Sequence, residues 1–225
     1  MSIKVIVTGA SGMVGEGVAI ECLDNPQISE VLVIGRRPSG LQHPKLKEVL
    51  HNDFMNLEPI AQHFAGYDAC FFCLGVTSVG KKEDEYTKLT YDLTMGAARL
   101  MAQKSPSMTF EYVSGAGTDS TEQGRTMWAR VKGKTENDLM KLPFKDVYAF
   151  RPGMMKPTDG MKNTNPLYKY IGWLYPLLRA TMPAGVCTLK EVALAMIHVA
   201  TKGYTKKVVD VKDMVAMAKE EGYRK

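Results

Sequence analysis

Three glycines at equal spacing lie near the start of the sequence: Gly9, Gly12 and Gly15 in VTGASGMVGEG, residues 7 to 17. The first of such a set permits a sharp turn, and the second lets backbone approach a pyrophosphate with no Cβ in the way. The third lets a helix pack closely on a strand. Main-chain N–H groups at the start of that helix face phosphate oxygens. Gly9, Ser11, Gly12, Met13, Val14 and Gly15 are therefore the candidate diphosphate contacts. A second group stands at Arg36 and Arg37, in IGRR. An NAD-selective site carries Asp or Glu there to hold the ribose hydroxyls, whereas two guanidiniums suit a ribose 2′-phosphate through planar bidentate pairing. The expected cofactor is NADP(H), with NAD(H) as the second choice; the alternative is that both arginines are solvated loop residues.

The surrounding pattern must position these groups. IKVIVT at 3–8 reads as a strand, the glycines as a tight turn, and 13–23 as a helix; VLVIG at 31–35 is the second strand. The alternation continues with a strand at 48–51, a helix at 57–64 capped by Asn56, a strand at 68–74 and a long helix at 84–104 stopped by Pro106. A strand at 109–114, a helix at 121–140 and a strand at 146–150 precede the Pro152-Gly153 break. Beyond it a polar loop leads to helices at 167–180, interrupted at Pro176, at 189–201 with Thr188 as N-cap, and after Asp210. The expected class is α/β: a Rossmann-like, doubly wound parallel sheet with helices on both faces and a small C-terminal elaboration. Ligands then sit in the crevice beyond the strand carboxyl ends. The predicted organisation is one NAD(P)-binding domain over 1–225, with its core in 1–155 and the substrate or partner elaboration in 156–225.

Composition narrows the partners. The net charge of +5 comes from 29 basic and 24 acidic residues spread along the 225, so no basic arm of the nucleic-acid-binding kind is present. Cys70 and Cys73 form a C-x-x-C within DACFFCLG. That run is apolar and β-prone, so the two thiols point to opposite faces of a strand; structural cysteines are expected, and no metal site. Neither a signal peptide nor an apolar run long enough to span a bilayer is evident, and a reducing cytoplasm is the expected location.

GASG, IGRR, FCLG, VKG and FRPG, in that order between Val7 and Gly153, make the chain resemble the short-chain dehydrogenase/reductase superfamily. The likeness is to its extended or atypical branch, with the NmrA-like and nucleotide-sugar epimerase-like proteins, and within it to the small oxidoreductases related to the human Tat-interacting protein. The resemblance implies that Asp53 and Phe54 flank the adenine and that Leu74, Gly75 and Val76 pass under the adenosine ribose. It also implies that Pro152, Gly153 and Met154 lie beside the nicotinamide. For Asp53 a turn-capping carboxylate is the competing reading.

The same resemblance implies a catalytic Tyr-x-x-x-Lys on a helix with a Ser or Thr at the end of the preceding strand. A spacing of four puts Tyr and Lys on one helical face, so the ammonium lowers the phenol pKa while holding the nicotinamide ribose. Here Lys132 stands at the lysine position and Trp128 at that of the tyrosine. An indole N–H donates a hydrogen bond but releases no proton near neutrality. In YVSGAG the register puts Gly115 rather than Ser114 at the hydroxyl position, and a shift by one would restore Ser114. Tyr168, Tyr170 and Tyr175 are alternative proton donors. The segment 165–185 is aromatic and apolar, suited to a small-molecule pocket, a membrane surface, a second copy of the chain or another protein, or to a helix packed onto the sheet by one face. Two functional classes remain open at this level: a hydride-transferring enzyme, and a dinucleotide-binding regulator or scaffold with little turnover.

Overall fold

The computed structural model describes residues 2–164 and 174–223. Nine strands run through it: β1 Ile3–Thr8, β2 Ile28–Gly35, β3 Leu46–Leu50, β4 Ala69–Phe72, β5 Thr109–Val113, β6 Asp146–Arg151, β7 Met154–Lys156, β8 Val186–Thr188 and β9 Val208–Asp210. The helices are α1 Met13–Asp24, α2 Glu83–Thr87, α3 Leu93–Lys104, α4 Met127–Leu139, α5 Tyr175–Thr181, α6 Leu189–Lys202 and α7 Val211–Glu220, with one 3₁₀ segment at Glu58–Phe64.

Seven strands form one parallel sheet in the order β3-β2-β1-β4-β5-β6-β9, and β7 with β8 forms a small parallel pair. The winding direction reverses between β1 and β4, which opens a crevice past their carboxyl ends. Residues alternate along each strand between two cores. Val5, Val7 and Phe71 pack under α1, α6 and α7 on one face; Ile6, Cys70 and Phe72 pack under α3 and α4 on the other. Cys70 and Cys73 fall on opposite faces, and Cys22, Cys70 and Cys73 are free thiols. Among the described residues no helix is long and apolar enough to cross a membrane.

Local chemistry explains where the elements depart from expectation. The helix expected from residue 121 begins at Met127 because residues 119–124 wind around Asp119, whose carboxylate accepts from Thr121 N at 3.0 Å and Gly124 N at 2.7 Å. The segment expected to be capped by Asn56 is 3₁₀ rather than α and starts at Glu58; its N-cap position is Leu57, and Asn56, one residue earlier, accepts from Glu58 N through Oδ1 at 3.3 Å. The long helix after residue 83 is continuous but carries a π turn at Lys88–Asp92. Thr188 caps α6 as expected: its hydroxyl accepts from Glu191 N at 3.1 Å and Glu191 returns a bond to Thr188 N at 2.7 Å. Strands β7, β8 and β9, in what reads as a helical region, have three residues each. Of the helix expected over 167–180, residues 167–173 lie outside the described part, and the remainder falls in α5, which has Pro176 in its first turn.

One core residue breaks the apolar rule. Glu111, mid-β5 between Phe71 and Tyr148, is fully buried, and among the described residues neither carboxyl oxygen has a hydrogen-bond partner. Burial pushes its pKa well above the ordinary carboxylate range. The unfolded chain ionises this group near about 4.3 while the folded chain keeps it protonated, so above that pH folding binds a proton and stability falls as pH rises. Glu111→Leu is expected to stabilise the fold by about 1–3 kcal/mol at neutral pH, through loss of an unsatisfied buried group. It should also flatten the decline in melting temperature between mildly acidic and neutral pH. Equal melting temperatures for both chains across that range would show that Glu111 has a partner in solution.

Candidate active site

The glycine turn is built as its spacing requires. Gly9 takes φ +75, and a Cβ there would stand 2.9 Å from the Cys73 carbonyl; a Cβ on Gly15 would stand 2.3 Å from Gly9 O. Both positions are closed to side chains by backbone alone. At Gly12 a Cβ would meet protein only at 3.4 Å, an ordinary contact, so protein packing does not require glycine there. Gly12 N donates to Gly9 O at 2.9 Å, and no side chain caps the start of α1 among the described residues. The residues thus fit a diphosphate: the turn is open on the side of Gly12, and the N–H groups that begin α1 lack a capping carboxylate or hydroxyl.

Beside the turn lies a cavity of about 230 Å³. Of the residues singled out above, Arg36, Asp53, Phe54, Leu74, Gly75 and Val76 line it together; Arg37 does not. Four more wall residues, Asn52, Met55, Leu89 and Leu93, were missed by sequence reasoning. Asn52 and Met55 flank the Asp53-Phe54 pair, a signal within reach of the sequence. Leu89 lies in the π turn and Leu93 just past it, and no regular helical periodicity would orient them. Asp53 also closes its own turn, accepting from Met55 N at 3.0 Å through Oδ1.

The second cluster joins α4 to the ends of β5 and β6. Lys132 Nζ donates to Ser114 O at 2.5 Å, and desolvation lowers its pKa to about 8 against the opposing pull of Glu136. Glu136, one turn further along α4 and only 2% exposed, forms a salt bridge with Arg151, whose Nε lies 3.1 and 3.2 Å from the two carboxylate oxygens. The Ser114 hydroxyl is buried and faces this carboxylate at 2.5 Å, with Phe150 O at 3.1 Å. Arg151 also donates to Ser120 Oγ at 2.5 Å. Trp128 is partly exposed, one turn before Lys132, its ring against Gly117. The Pro152-Gly153-Met154 loop is fixed from two sides: Ala116 N donates to Pro152 O at 2.8 Å and Met154 N to Gly185 O at 2.9 Å. A Cβ on Gly153 would stand 2.1 Å from Gly185 O. Tyr175 is buried, its phenol pushed up to about 12 by burial, while Tyr168 and Tyr170 lie outside the described residues.

The parallel sheet, the glycine turn and the cavity beyond β2, β3 and β4 define a Rossmann-type protein of the short-chain dehydrogenase/reductase kind. The model of the NAD dependent epimerase/dehydratase family matches residues 5–121, and the chain belongs to that family, in the extended, NmrA-like branch of the superfamily. It is 30% identical over 154 residues to Protein HTATIP2 of Rattus norvegicus, a match covering 68% of this chain and 62% of the rat protein. It is 25% identical over 204 residues to Protein FMP52, mitochondrial, of Debaryomyces hansenii, covering 88% of each. Among solved structures, the Bordetella bronchiseptica enzyme WbmG in complex with NAD superposes with a TM-score of 0.68 at 13% identity, covering 99% of this chain and 79% of that one. At that identity the likeness speaks for the fold.

Proposed function

We propose that the chain binds NADP(H) along the glycine turn and works as an oxidoreductase or nucleotide-sugar epimerase-like enzyme on a small-molecule substrate. The observation that carries this reading is that Gly9 of the glycine turn packs against the Cys73–Leu74 peptide, and Leu74 in turn lines the cavity that has Arg36 at its wall. When bound, the nicotinamide gives or takes the hydride. The chain's own residues do the rest. The start of α1 holds the diphosphate, Asp53 and Phe54 flank the adenine, Leu74, Gly75 and Val76 pass under the adenosine ribose, and Arg36 with Arg37 neutralises a 2′-phosphate. Lys132, anchored on the Ser114 carbonyl, keeps further N–H donors for the nicotinamide ribose. Pro152, Gly153 and Met154 bound the ring. Residues 1–155 are read as the cofactor core and 156–225 as the substrate or partner part of the same domain. A cytoplasmic location is proposed from the thiols of Cys22, Cys70 and Cys73, while the Debaryomyces relative carries a mitochondrial name.

Trp128 favours a second reading, a regulator or scaffold whose contacts depend on dinucleotide occupancy. The indole supplies no acid, and general acid–base assistance is worth about 10²- to 10⁴-fold in rate. Calorimetry with NADPH and NADH, followed by NADPH consumption with aldehydes, ketones and quinones, separates the two. The enzyme reading expects sustained consumption that is lost in Lys132→Ala. Tight binding with no turnover across the panel would establish the regulator instead, and binding of neither dinucleotide would remove both.

A further inference from the structure

A second contact ties α1 to the C-terminal part of the chain, and the glycine spacing gives no hint of it. Glu16, in the first turn of α1, is only 2% exposed. Its carboxylate accepts two successive backbone N–H groups, Lys162 N at 2.8 Å on Oε1 and Asn163 N at 2.7 Å on Oε2. Met161 beside them is buried. A short stretch of an otherwise polar loop is thereby fixed to the helix that begins the diphosphate cradle. A buried carboxylate is stable only when its lone pairs are met, and here two backbone donors meet them.

This anchoring decides where the Lys162 side chain goes. It is exposed, and its Nζ reaches across to donate to Gly40 O at 3.3 Å. Gly40, at φ +74, closes the turn that starts with Arg36-Arg37-Pro38-Ser39. That turn is itself held: Ser39 N donates to Glu48 Oε1 at 2.8 Å and Leu41 N to Ser39 Oγ at 3.2 Å. Gly40 follows Arg37 by three residues and Arg36 by four, at most about 11 and 14 Å of extended chain, so the ammonium docks on the same short loop that carries both arginines. An ammonium has three donors, and one carbonyl at that distance occupies one of them.

We infer that Lys162 is the third cation of the 2′-phosphate site, carried onto the Arg36-Arg37 loop by the Glu16 anchor and discriminating NADP(H) from NAD(H). The inference rests on the cofactor reading above and adds to it a residue far away in sequence. A Lys has no fork to match a phosphate and acts as a point charge, so its contribution is one of affinity and salt dependence rather than of geometry. Glu16 is a positioning residue that acts through Lys162.

Calorimetric titration of NADPH and NADH into the wild-type chain, Lys162→Ala and Lys162→Arg tests it. Lys162→Ala is expected to weaken NADPH about tenfold while NADH stays within about twofold, and Lys162→Arg to keep most of the preference. Raised salt should narrow the gap between wild type and Lys162→Ala. Unchanged NADPH affinity in Lys162→Ala, or an equal loss for both dinucleotides, overturns the inference and leaves the cofactor reading standing. A wild-type chain that binds both dinucleotides equally overturns the 2′-phosphate site as a whole, and one that binds neither removes the cofactor reading with it.

Discussion

Trp128→Tyr is expected to raise NADPH-dependent carbonyl reduction by about 10²- to 10⁴-fold, the range that a positioned general acid supplies. Trp128 lies one helical turn before Lys132 on α4, and Lys132 is the ammonium whose charge would favour the phenolate form of a phenol placed there. The indole is partly exposed and touches Gly117 rather than filling either core, so a smaller ring leaves no buried void. Trp128→Phe is the control, since it removes the indole without adding a hydroxyl. Steady-state rates on one carbonyl substrate decide the matter: a gain in Tyr but not in Phe places the reacting oxygen near α4. Indistinguishable rates in all three chains would move the acid elsewhere or exclude hydride chemistry.

The other large effect concerns stability. Arg151→Ala is expected to destabilise the fold by about 3–5 kcal/mol, because it strands the Glu136 carboxylate beneath the surface without its charge partner. The loss should appear as a lower urea midpoint with an unchanged denaturant slope. Converting the pair together, Arg151→Met with Glu136→Met, should recover most of it, since the penalty lies in the unpaired charge rather than in missing attraction. A loss below about 1 kcal/mol for Arg151→Ala would mean that water reaches Glu136 in solution. The same pair bears on the candidate site, because Glu136 also receives the Ser114 hydroxyl and raises the pKa of Lys132.

Most of the sheet could be read from the chain because its signals are local. Gly9, Gly12 and Gly15 follow an apolar run directly, and the β-prone runs after them recur at the spacing of a βαβ series. The adenine-side cavity was legible in part: Arg36 follows β2 directly, and Asp53, Phe54 and Leu74, implied by the family resemblance, follow β3 and β4 by a few residues, so all four lie beyond the carboxyl ends of neighbouring strands. What the sequence hid is non-local. Glu136 reads as an ordinary helical charge until Arg151 is brought up by β6, and Glu16 reads as a solvated residue of α1 until the backbone of Lys162 and Asn163 reaches it. The π turn at Lys88–Asp92 alters helical phase without any glycine or proline to announce it. Three-residue strands such as β9 carry too few residues to establish a period of two. Ser114 shows the limit within the site: its place at the end of β5 was readable, but the direction of its hydroxyl, toward Glu136 rather than the crevice edge, depends on a partner 22 positions away.

The outermost strand has a consequence for biosynthesis. Ala149 of β6 finds its neighbour in Val208 of β9, and α7, which helps cover the same face, follows immediately. At translation speeds of about 5–20 residues per second, the hydrogen-bonding groups along that side of β6 stay unpaired for on the order of several seconds after they emerge. A nascent chain stalled in that interval presents an open, largely apolar edge to its neighbours on a polysome, a vulnerability that holdase chaperones would be placed to mask.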